Sequence, residues 1–400
     1  MKLRKLVNRL QKLHPKEIDL SLNRVKELCK KLGNPQDKIK AISVVGTNGK
    51  YSTIQALYAI LKEANLKCNI YTSPHIKKIN ERFVFNNQEL NDDELANLFE
   101  EIEEVNKNQP ITFFEILTTA YFYKAAKYPD NINLIETGLF HRFDATNILK
   151  NNLASIVTSI GLDHLDWLSE NEKTIEKIIF EKTSTLLTSN IIVAKQTSTE
   201  ITENIKKTIS KNNSNKFFHN ENYSFSVKEN NVFFYEDQLG DIKLPMPNVN
   251  GLFQLENIST AIATARIIKN FDIKDKHILQ GITKIDCIAR LQELKSGKLK
   301  DLVKMKHVEW NWIKGHSDDP LNDLVDRLHP RRGSDDVETS TMGFGANGFV
   351  GVEYFFAPKM GLSAEYSHGL MYSSEDDGSD DRSEFDISGG TTSINLNFYF

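Results

Sequence analysis

The sequence predicts an α/β protein with a parallel sheet, and three observations lead to this prediction. Strand-like apolar segments alternate with helix-like segments between residues 20 and 300. A glycine-rich loop follows the first of these strands and precedes a helix. Hydrophobic residues make up 40% of the 400 residues and charged residues 26%, which is ordinary for a globular protein. Strands that alternate with helices are typical of parallel sheets, because each crossover is then a helix.

The bulk properties exclude several classes of protein. The formal net charge is −4, so no overall positive field would attract nucleic acid or a membrane surface. The three cysteines are far apart and odd in number, which argues against a disulfide framework and fits a reducing compartment. No apolar run is long enough to cross a bilayer as a helix. We therefore expect a cytoplasmic protein, and we expect no nucleic acid or membrane partner.

The basic N-terminal segment has leucines at helical spacing. Leu3, Leu6, Leu10 and Leu13 fall on one face, which favours a packed amphipathic helix. A mitochondrial presequence is the alternative. Further along the chain, residues 211–235 change character and predict an antiparallel hairpin at an edge or insertion. The remaining predicted strands are 42–45, 68–71, 132–135 and 155–159, and the predicted helices follow the glycine loop at 54–61 and occupy 90–105.

The glycine loop spans residues 46–52, with the sequence Gly-Thr-Asn-Gly-Lys-Tyr-Ser. Glycines allow backbone N–H groups to approach a phosphate, and a helix N-terminus favours anions. Lys50 would bridge the β- and γ-phosphates of a nucleotide, and Ser52 or Thr53 could reach a metal ion. The glycine spacing departs from the strict Walker pattern. An ordinary strand-turn-helix with a solvated lysine therefore stays open as the alternative.

The glycine loop is the first of several motifs that follow one another along the chain. They are GTNGKYST at 46–53, YTSPHIKKINERF at 71–83, TFFEILTTAYF at 112–122, IETGLFHRFDATN at 135–147, TSIGLDHLDWL at 158–168, FEKTS at 180–184, NGLFQLENISTAIA at 250–263 and IARLQEL at 288–294. In this order they resemble the bacterial dihydrofolate synthase/folylpolyglutamate synthase enzymes of the Mur ligase superfamily. The resemblance covers residues 20–300, and we expect one domain of that type over residues 1–302.

The resemblance implies an ATP- and Mg²⁺-dependent ligase. Such an enzyme joins a pteroate or folate carboxylate to the amine of L-glutamate through an acyl phosphate, and we expect it to be a monomer. The implied catalytic residues are Lys50, Lys182 and His164. Nucleotide binding is implied for Gly46, Thr47, Asn48, Gly49, Lys50, Ser52, Thr53, Asn257 and Arg290, and metal binding for Ser52, Ser73, Glu136, His164 and Lys182.

Four of the five implied metal ligands also have a structural interpretation. Ser73 precedes a proline and suits a turn, Glu136 ends a strand, and His164 could cap a loop. The resemblance implies that Lys182 is carbamylated and so becomes an oxygen ligand for a second Mg²⁺. The alternative is a surface helix lysine that pairs with Glu181. We further expect Glu115 to lie at the edge of the site.

Three departures separate the sequence from the family pattern. Tyr51 stands where the family usually has glycine, and its side chain must either point away from the phosphates or block them. Phe140 and His141 stand where the family has two glycines, so a close backbone approach would be lost. We also expect the family's Rossmann-like C-terminal domain to be missing, because no Asp-Gly-Ala-His-Asn-Pro type segment follows Arg290.

Two further segments have other resemblances. Residues 303–332 read as a linker with a short α/β fragment, within which residues 306–328 resemble the last active-site loop of ribonuclease H, with His316 and Asp326 in the matching positions. We interpret it as a fragment without activity. Residues 333–400 resemble the end of an outer-membrane β-barrel and predict an antiparallel β tail rich in hairpins. The chain would then be a natural fusion, a misassembly or an artificial chimera.

Four functional hypotheses follow. The leading one is the folate-type ligase, and the second is an inactive fusion that at most binds nucleotide. A nuclease acting through His316 and Asp326 is the third, and a membrane protein built on the tail is the fourth.

Overall fold

The computed structural model describes residues 2–16, 19–150, 152–228, 232–288, 340–357, 360–376 and 381–398. The chain divides into two compact units, residues 1–292 and 293–400. The helices of the first unit are α1 (Lys2–Leu10), α2 (Asn23–Lys31), α3 (Lys50–Glu63), α4 (Asp92–Asn106), α5 (Phe113–Ala125), α6 (Ile175–Thr183), α7 (Thr199–Ile209), α8 (Leu252–Ile267) and α9 (Asp275–Gly281). Its strands are β1 (Lys40–Val45), β2 (Cys68–Tyr71), β3 (Phe83–Phe85), β4 (Gln88–Glu89), β5 (Ile132–Glu136), β6 (Asn152–Val157), β7 (Asn190–Val193), β8 (Asn215–Phe218), β9 (Tyr223–Lys228), β10 (Val232–Asp237) and β11 (Ile242–Leu244).

Eight of these strands form one mostly parallel sheet in the order β4-β3-β2-β5-β1-β6-β7-β8. The strands from β2 to β8 in this order are parallel, and only β3 and β4 at one edge are antiparallel. The α/β prediction is therefore confirmed. The central strand β1 is buried over all but its first residue, as expected for a strand covered on both faces.

Three apolar clusters surround the sheet. The first joins α3, α8 and α9 to the sheet, the second joins α1, α2, α4 and α5, and the third contains α6 and α7. The N-terminal leucines Leu3, Leu6 and Leu10 are buried in the second cluster, so the packed amphipathic helix is confirmed. The predicted hairpin is β9 and β10, which pair antiparallel and belong with β11 to a separate three-stranded sheet.

The second unit contains three long strands, β12 (Ser340–Ala357), β13 (Met360–Asp376) and β14 (Asp381–Phe398), which pair antiparallel. This is the antiparallel β tail that the alternation of the sequence predicts. Residues 289–339 lie outside the described residues, and with them Arg290, His316 and Asp326. Within the part of the chain that the structure describes, no helix is both long and apolar enough to cross a membrane.

Candidate active site

The phosphate loop joins β1 to α3 at the carboxyl edge of the sheet. Gly46 has φ +149° and Gly49 has φ +87°, a backbone region that side chains rarely adopt. A Cβ on Gly46 would lie 2.0 Å from Thr158 Oγ1, and one on Gly49 would lie 2.2 Å from Asn257 Oδ1. Both glycines are therefore required by conformation and by space.

A neighbouring loop holds the phosphate loop in place. The backbone N–H groups of Thr47 and Asn48 both donate to Ser159 O, at 2.9 and 3.1 Å. The Thr47 hydroxyl also accepts from Gly161 N at 3.2 Å. These two N–H groups are engaged within the protein, so the donors available to a phosphate lie later, in the first turn of α3 that begins at Lys50.

Lys50 folds back over the loop that it follows. Its Nζ donates to the carbonyl oxygens of Gly46 and Thr47, at 3.2 and 3.1 Å. The side chain is half-buried, which keeps the ammonium at the mouth of the loop. This position differs from the solvated lysine of the ordinary strand-turn-helix alternative.

Lys182 lies beneath the same loop and is only 1% exposed. Its Nζ donates to Gly46 O and to Leu139 O, both at 3.1 Å. Burial, together with the nearby Lys50 ammonium, lowers the pKa of Lys182 to about 7. The alternative of a surface lysine paired with Glu181 is therefore wrong.

Glu181 instead makes a two-bond ion pair with Arg142, at 2.8 and 2.7 Å. Side chains of consecutive residues on a helix do not face each other, so Glu181 and Lys182 are not placed to pair. The pairing of Glu181 with Arg142 fixes α6 against the loop after β5, and this leaves Lys182 directed inward.

Glu136 ends β5 at the same sheet edge and is 4% exposed. Its Oε2 accepts a hydrogen bond from Ser73 N at 3.1 Å, so the implied ligands Ser73 and Glu136 are direct neighbours. Both supply oxygen, which is the donor atom that Mg²⁺ prefers. Among the described residues, no group of three or more His, Cys, Asp and Glu side chains has the arrangement of a metal site.

His164 follows β6 in a left-handed conformation, with φ +55°. Its Nε2 is 3.2 Å from Asp163 Oδ2. Partial burial of the ring lowers the pKa of His164 to about 4, and the ammonium groups of Lys182 and Lys50 contribute to the shift. The histidine therefore lies in the electrostatic field of both predicted catalytic lysines.

The other nucleotide positions are more varied. Ser52 and Thr53 are buried, and the Ser52 hydroxyl lies 3.5 Å from Cys287 Sγ. Thr53 Oγ1 is buried and has no hydrogen-bond partner within the described residues. Asn257 on α8 covers Gly49, and Tyr51 packs against the apolar cluster of α3 and α8. This packing matches the expected arrangement in which the Tyr51 side chain points away from the phosphates.

Phe140 and His141, which stand where the family has two glycines, are both buried side chains. Phe140 is 1% exposed and lies in the third apolar cluster, with Lys182 Nζ 5.7 Å from its ring centroid. His141 is 3% exposed, and its Nδ1 is 3.1 Å from Thr185 Oγ1. Burial lowers the pKa of His141 to about 4. Phe140 thus lies close to the Lys182 ammonium, and the charge of Lys182 also acts on His141.

Glu115, which the sequence analysis expects at the edge of the site, is part of a helix cap. It forms a capping box with Thr112 at the start of α5, at 2.8 and 3.3 Å. The same carboxylate accepts from Arg24 Nε at 2.9 Å. These contacts give Glu115 a stabilising role at the helix terminus.

The prediction also did not single out Asp144, although it lies within a matched segment. Its carboxylate accepts from Gly138 N and Thr146 N, each at 2.9 Å, and from the Thr146 hydroxyl. Burial raises the pKa of Asp144 to about 6. The signal available in the sequence was a charged residue, Asp144, between the apolar residues Phe143 and Ala145.

No protein-family model matches the chain. The dihydrofolate synthase/folylpolyglutamate synthase of Haemophilus influenzae is 31% identical over 302 residues, which are 73% of this chain and 64% of that protein. The Escherichia coli protein of the same name is 38% identical over 168 residues, 42% of this chain and 39% of that protein. The chain thus spans less than two thirds of the length of these relatives.

Solved structures show the same fold. Escherichia coli FolC in complex with DHPP and ADP has a TM-score of 0.68 and 28% identity, and the match covers 83% of this chain and 75% of that one. The bifunctional folylpolyglutamate synthase/dihydrofolate synthase of Yersinia pestis, complexed with AMPPNP and Mn ion, has a TM-score of 0.64 and 29% identity over 73% of this chain and 68% of that one. About the first 70% of the chain is therefore homologous to the dihydrofolate synthase/folylpolyglutamate synthase enzymes.

Proposed function

We propose that the chain is an ATP-dependent ligase that forms an amide between a pteroate or folate carboxylate and the amine of L-glutamate through an acyl phosphate. The observation that carries the proposal is the buried ammonium of Lys182, bonded to Gly46 O beneath a glycine loop. A structural lysine gains little from such burial, because removing its charge from water is costly. The names of the homologous enzymes supply the substrate class.

In this proposal the nucleotide phosphates bind at the start of α3. Gly46, Thr47, Asn48 and Gly49 shape the loop, and Lys50 stabilises the charge that develops on the transferring phosphoryl group. Ser52, Thr53 and Asn257 complete the nucleotide site, and Arg290 would contribute a planar donor fork to a phosphate.

Mg²⁺ would be held by five side chains, those of Ser52, Ser73, Glu136, His164 and Lys182. The adjacent Ser73 and Glu136 fit a hard cation because both offer oxygen atoms at one place. A pKa of about 7 leaves much of Lys182 unprotonated at neutral pH, which fits the proposal that its amine is carbamylated. The ion would neutralise charge on the phosphoryl group, and the protein groups would hold the reacting carboxylate in line.

The proposed substrates are dihydropteroate or tetrahydrofolate, L-glutamate and ATP. The net charge of −4 gives no overall positive field that would attract nucleic acid or a membrane, so we propose neither as a partner. We propose a cytoplasmic monomer. The resemblances of residues 306–328 and 333–400 and the chimeric origin stay predictions.

Phosphate release tests the proposal. The purified chain is given ATP, Mg²⁺ and dihydropteroate, with and without L-glutamate, and Lys50→Ala is the matched control. We expect release that requires all the substrates and disappears in the control. No release above background at high protein concentration would favour the second candidate, a fusion that at most binds nucleotide.

A further inference from the structure

The loop between β2 and β3 is organised by one carboxylate. Glu81 accepts from the backbone N–H groups of Ile76, Lys77 and Lys78, at 2.7, 3.0 and 3.0 Å. Three hydrogen bonds to one charged group fix the path of the loop. The residue that follows Glu81 is therefore held in a defined position.

That residue is Arg82, whose Nε donates to His75 Nδ1 at 2.9 Å. Within the described part of the chain, its two terminal nitrogens make no hydrogen bond and no carboxylate lies at ion-pair distance. Arg24, Arg142 and Arg266, which are also half-buried, each pair with a carboxylate. A half-buried guanidinium usually has an anionic partner, so Arg82 has an unused capacity to bind one.

The topology puts Arg82 at the sheet edge that carries the proposed reaction centre. The next residue, Phe83, pairs with Tyr71 at the carboxyl end of β2. Strand β2 lies beside β5, which ends at Glu136, and β5 lies beside β1, which leads into the phosphate loop. Glu136 is among the charges that act on Arg82.

We propose that the terminal nitrogens of Arg82 bind a substrate carboxylate. The inference rests on the proposed function, because that reaction needs a carboxylate close to the γ-phosphate. The planar fork of arginine matches the two oxygens of a carboxylate. The dihydropteroate carboxylate and a carboxylate of L-glutamate share this chemistry. His75 is a positioning residue, because its bond to Nε directs the other two nitrogens away from it.

Calorimetry tests the proposal on the full chain with Mg²⁺ and AMPPNP present. The ligands are dihydropteroate, its carboxamide analogue and L-glutamate. The variants are Arg82→Ala and Arg82→Lys, with Lys77→Ala as the control, because it removes an exposed cation from the same loop. We expect Arg82→Ala to weaken one of the two carboxylate ligands by at least about tenfold. Binding of the carboxamide and of AMPPNP should change by less than about twofold, and Arg82→Lys should be intermediate because it keeps the charge but loses the fork.

A loss for dihydropteroate or for L-glutamate identifies the carboxylate that binds. Equal weakening of dihydropteroate and its carboxamide, or no weakening of any ligand, would overturn the proposal. If Arg82→Ala does not fold, Arg82→Gln replaces it, since an amide can still donate to His75.

The two proposals fail in different ways. A chain that needs Arg82 for its preference for carboxylate over carboxamide, but releases no phosphate, contradicts only the ligase proposal. An active chain without the preference contradicts only the role of Arg82, and a chain that binds none of the ligands contradicts both.

Discussion

Lys182 Nζ lies 3.1 Å from Gly46 O, so the only buried lysine among the described residues is bonded to the first residue of the phosphate loop. A second bond of 3.1 Å reaches Leu139 O in the loop after β5. One ammonium thus connects α6 with two loops at the carboxyl edge of the sheet. Any change of its charge state acts directly on the geometry of the proposed nucleotide site.

We predict that Lys182 forms a carbamate with ¹³C-labelled bicarbonate. Its pKa of about 7 means that the unprotonated amine, the form that reacts with CO₂, increases as the pH rises from 6 to 8. The carbamate signal in ¹³C NMR should increase over this range and be absent in Lys182→Met. Lys177→Met is the matched control, because the Glu172 carboxylate raises the pKa of Lys177 on the same helix. A signal that persists in Lys182→Met would refute the assignment.

Glu136→Gln should separate the charge of this side chain from its hydrogen bond. The glutamine oxygen can still accept from Ser73 N, so the loop should keep its position. The loss of negative charge should raise the Mg²⁺ concentration for half-maximal phosphate release by at least about tenfold, because hard cations bind charged oxygen ligands. Glu94→Gln, which alters an exposed helix cap, should leave the Mg²⁺ dependence unchanged. An unchanged Mg²⁺ dependence in Glu136→Gln would exclude Glu136 as a ligand.

Gly49→Ala should impair both stability and nucleotide binding. The positive φ costs about 1–2 kcal/mol for a residue with a Cβ, and this Cβ would also lie 2.2 Å from Asn257 Oδ1. Gly33→Ala is the matched control, because Gly33 has φ +78° and nothing within 4 Å of its added Cβ. In urea denaturation, Gly49→Ala should lose at least about 1 kcal/mol more than Gly33→Ala. Equal losses would show that the contact with Asn257 is not restrictive.

His141 should make the fold sensitive to acid. Its pKa falls from 6.5 to about 4 on folding, so the neutral ring contributes stability that is complete above pH 6.5 and is lost as the pH falls toward 4. By linkage, the contribution lost between pH 7.5 and 5 is on the order of 2 kcal/mol. His141→Gln can still bond to Thr185 and does not titrate. Its free energy of unfolding should fall by about that much less over this range, and an equal fall in both proteins would contradict the burial of a neutral ring.

The fold was readable from the sequence because its signals are local. The predicted strand 68–71 is the observed β2, and Ile132–Ile135 lies within β5. The strand predicted at 155–159 is instead Asn152–Val157, because Thr158 and Ser159 leave the sheet to contact the phosphate loop. The order of the strands was not predicted, since it depends on long-range pairing.

The site was predictable only in part. A motif can identify Lys182, but its burial depends on Arg142 taking Glu181, a pair that is 39 residues apart. The sequence does not predict a role for Arg82, because a charged residue next to a strand usually faces solvent. Its lack of a carboxylate partner is visible only when the described side chains are in place.

The most direct test of the central claim is detection of the amide product. The chain is incubated with ATP, Mg²⁺, dihydropteroate and ¹⁵N-labelled L-glutamate, and the mixture is analysed by mass spectrometry. The proposed ligase predicts a dihydropteroyl-glutamate product that carries the label, depends on ATP and is absent with Lys182→Met. ATP binding without any labelled amide, at protein concentrations comparable to those of the substrates, would contradict the ligase function.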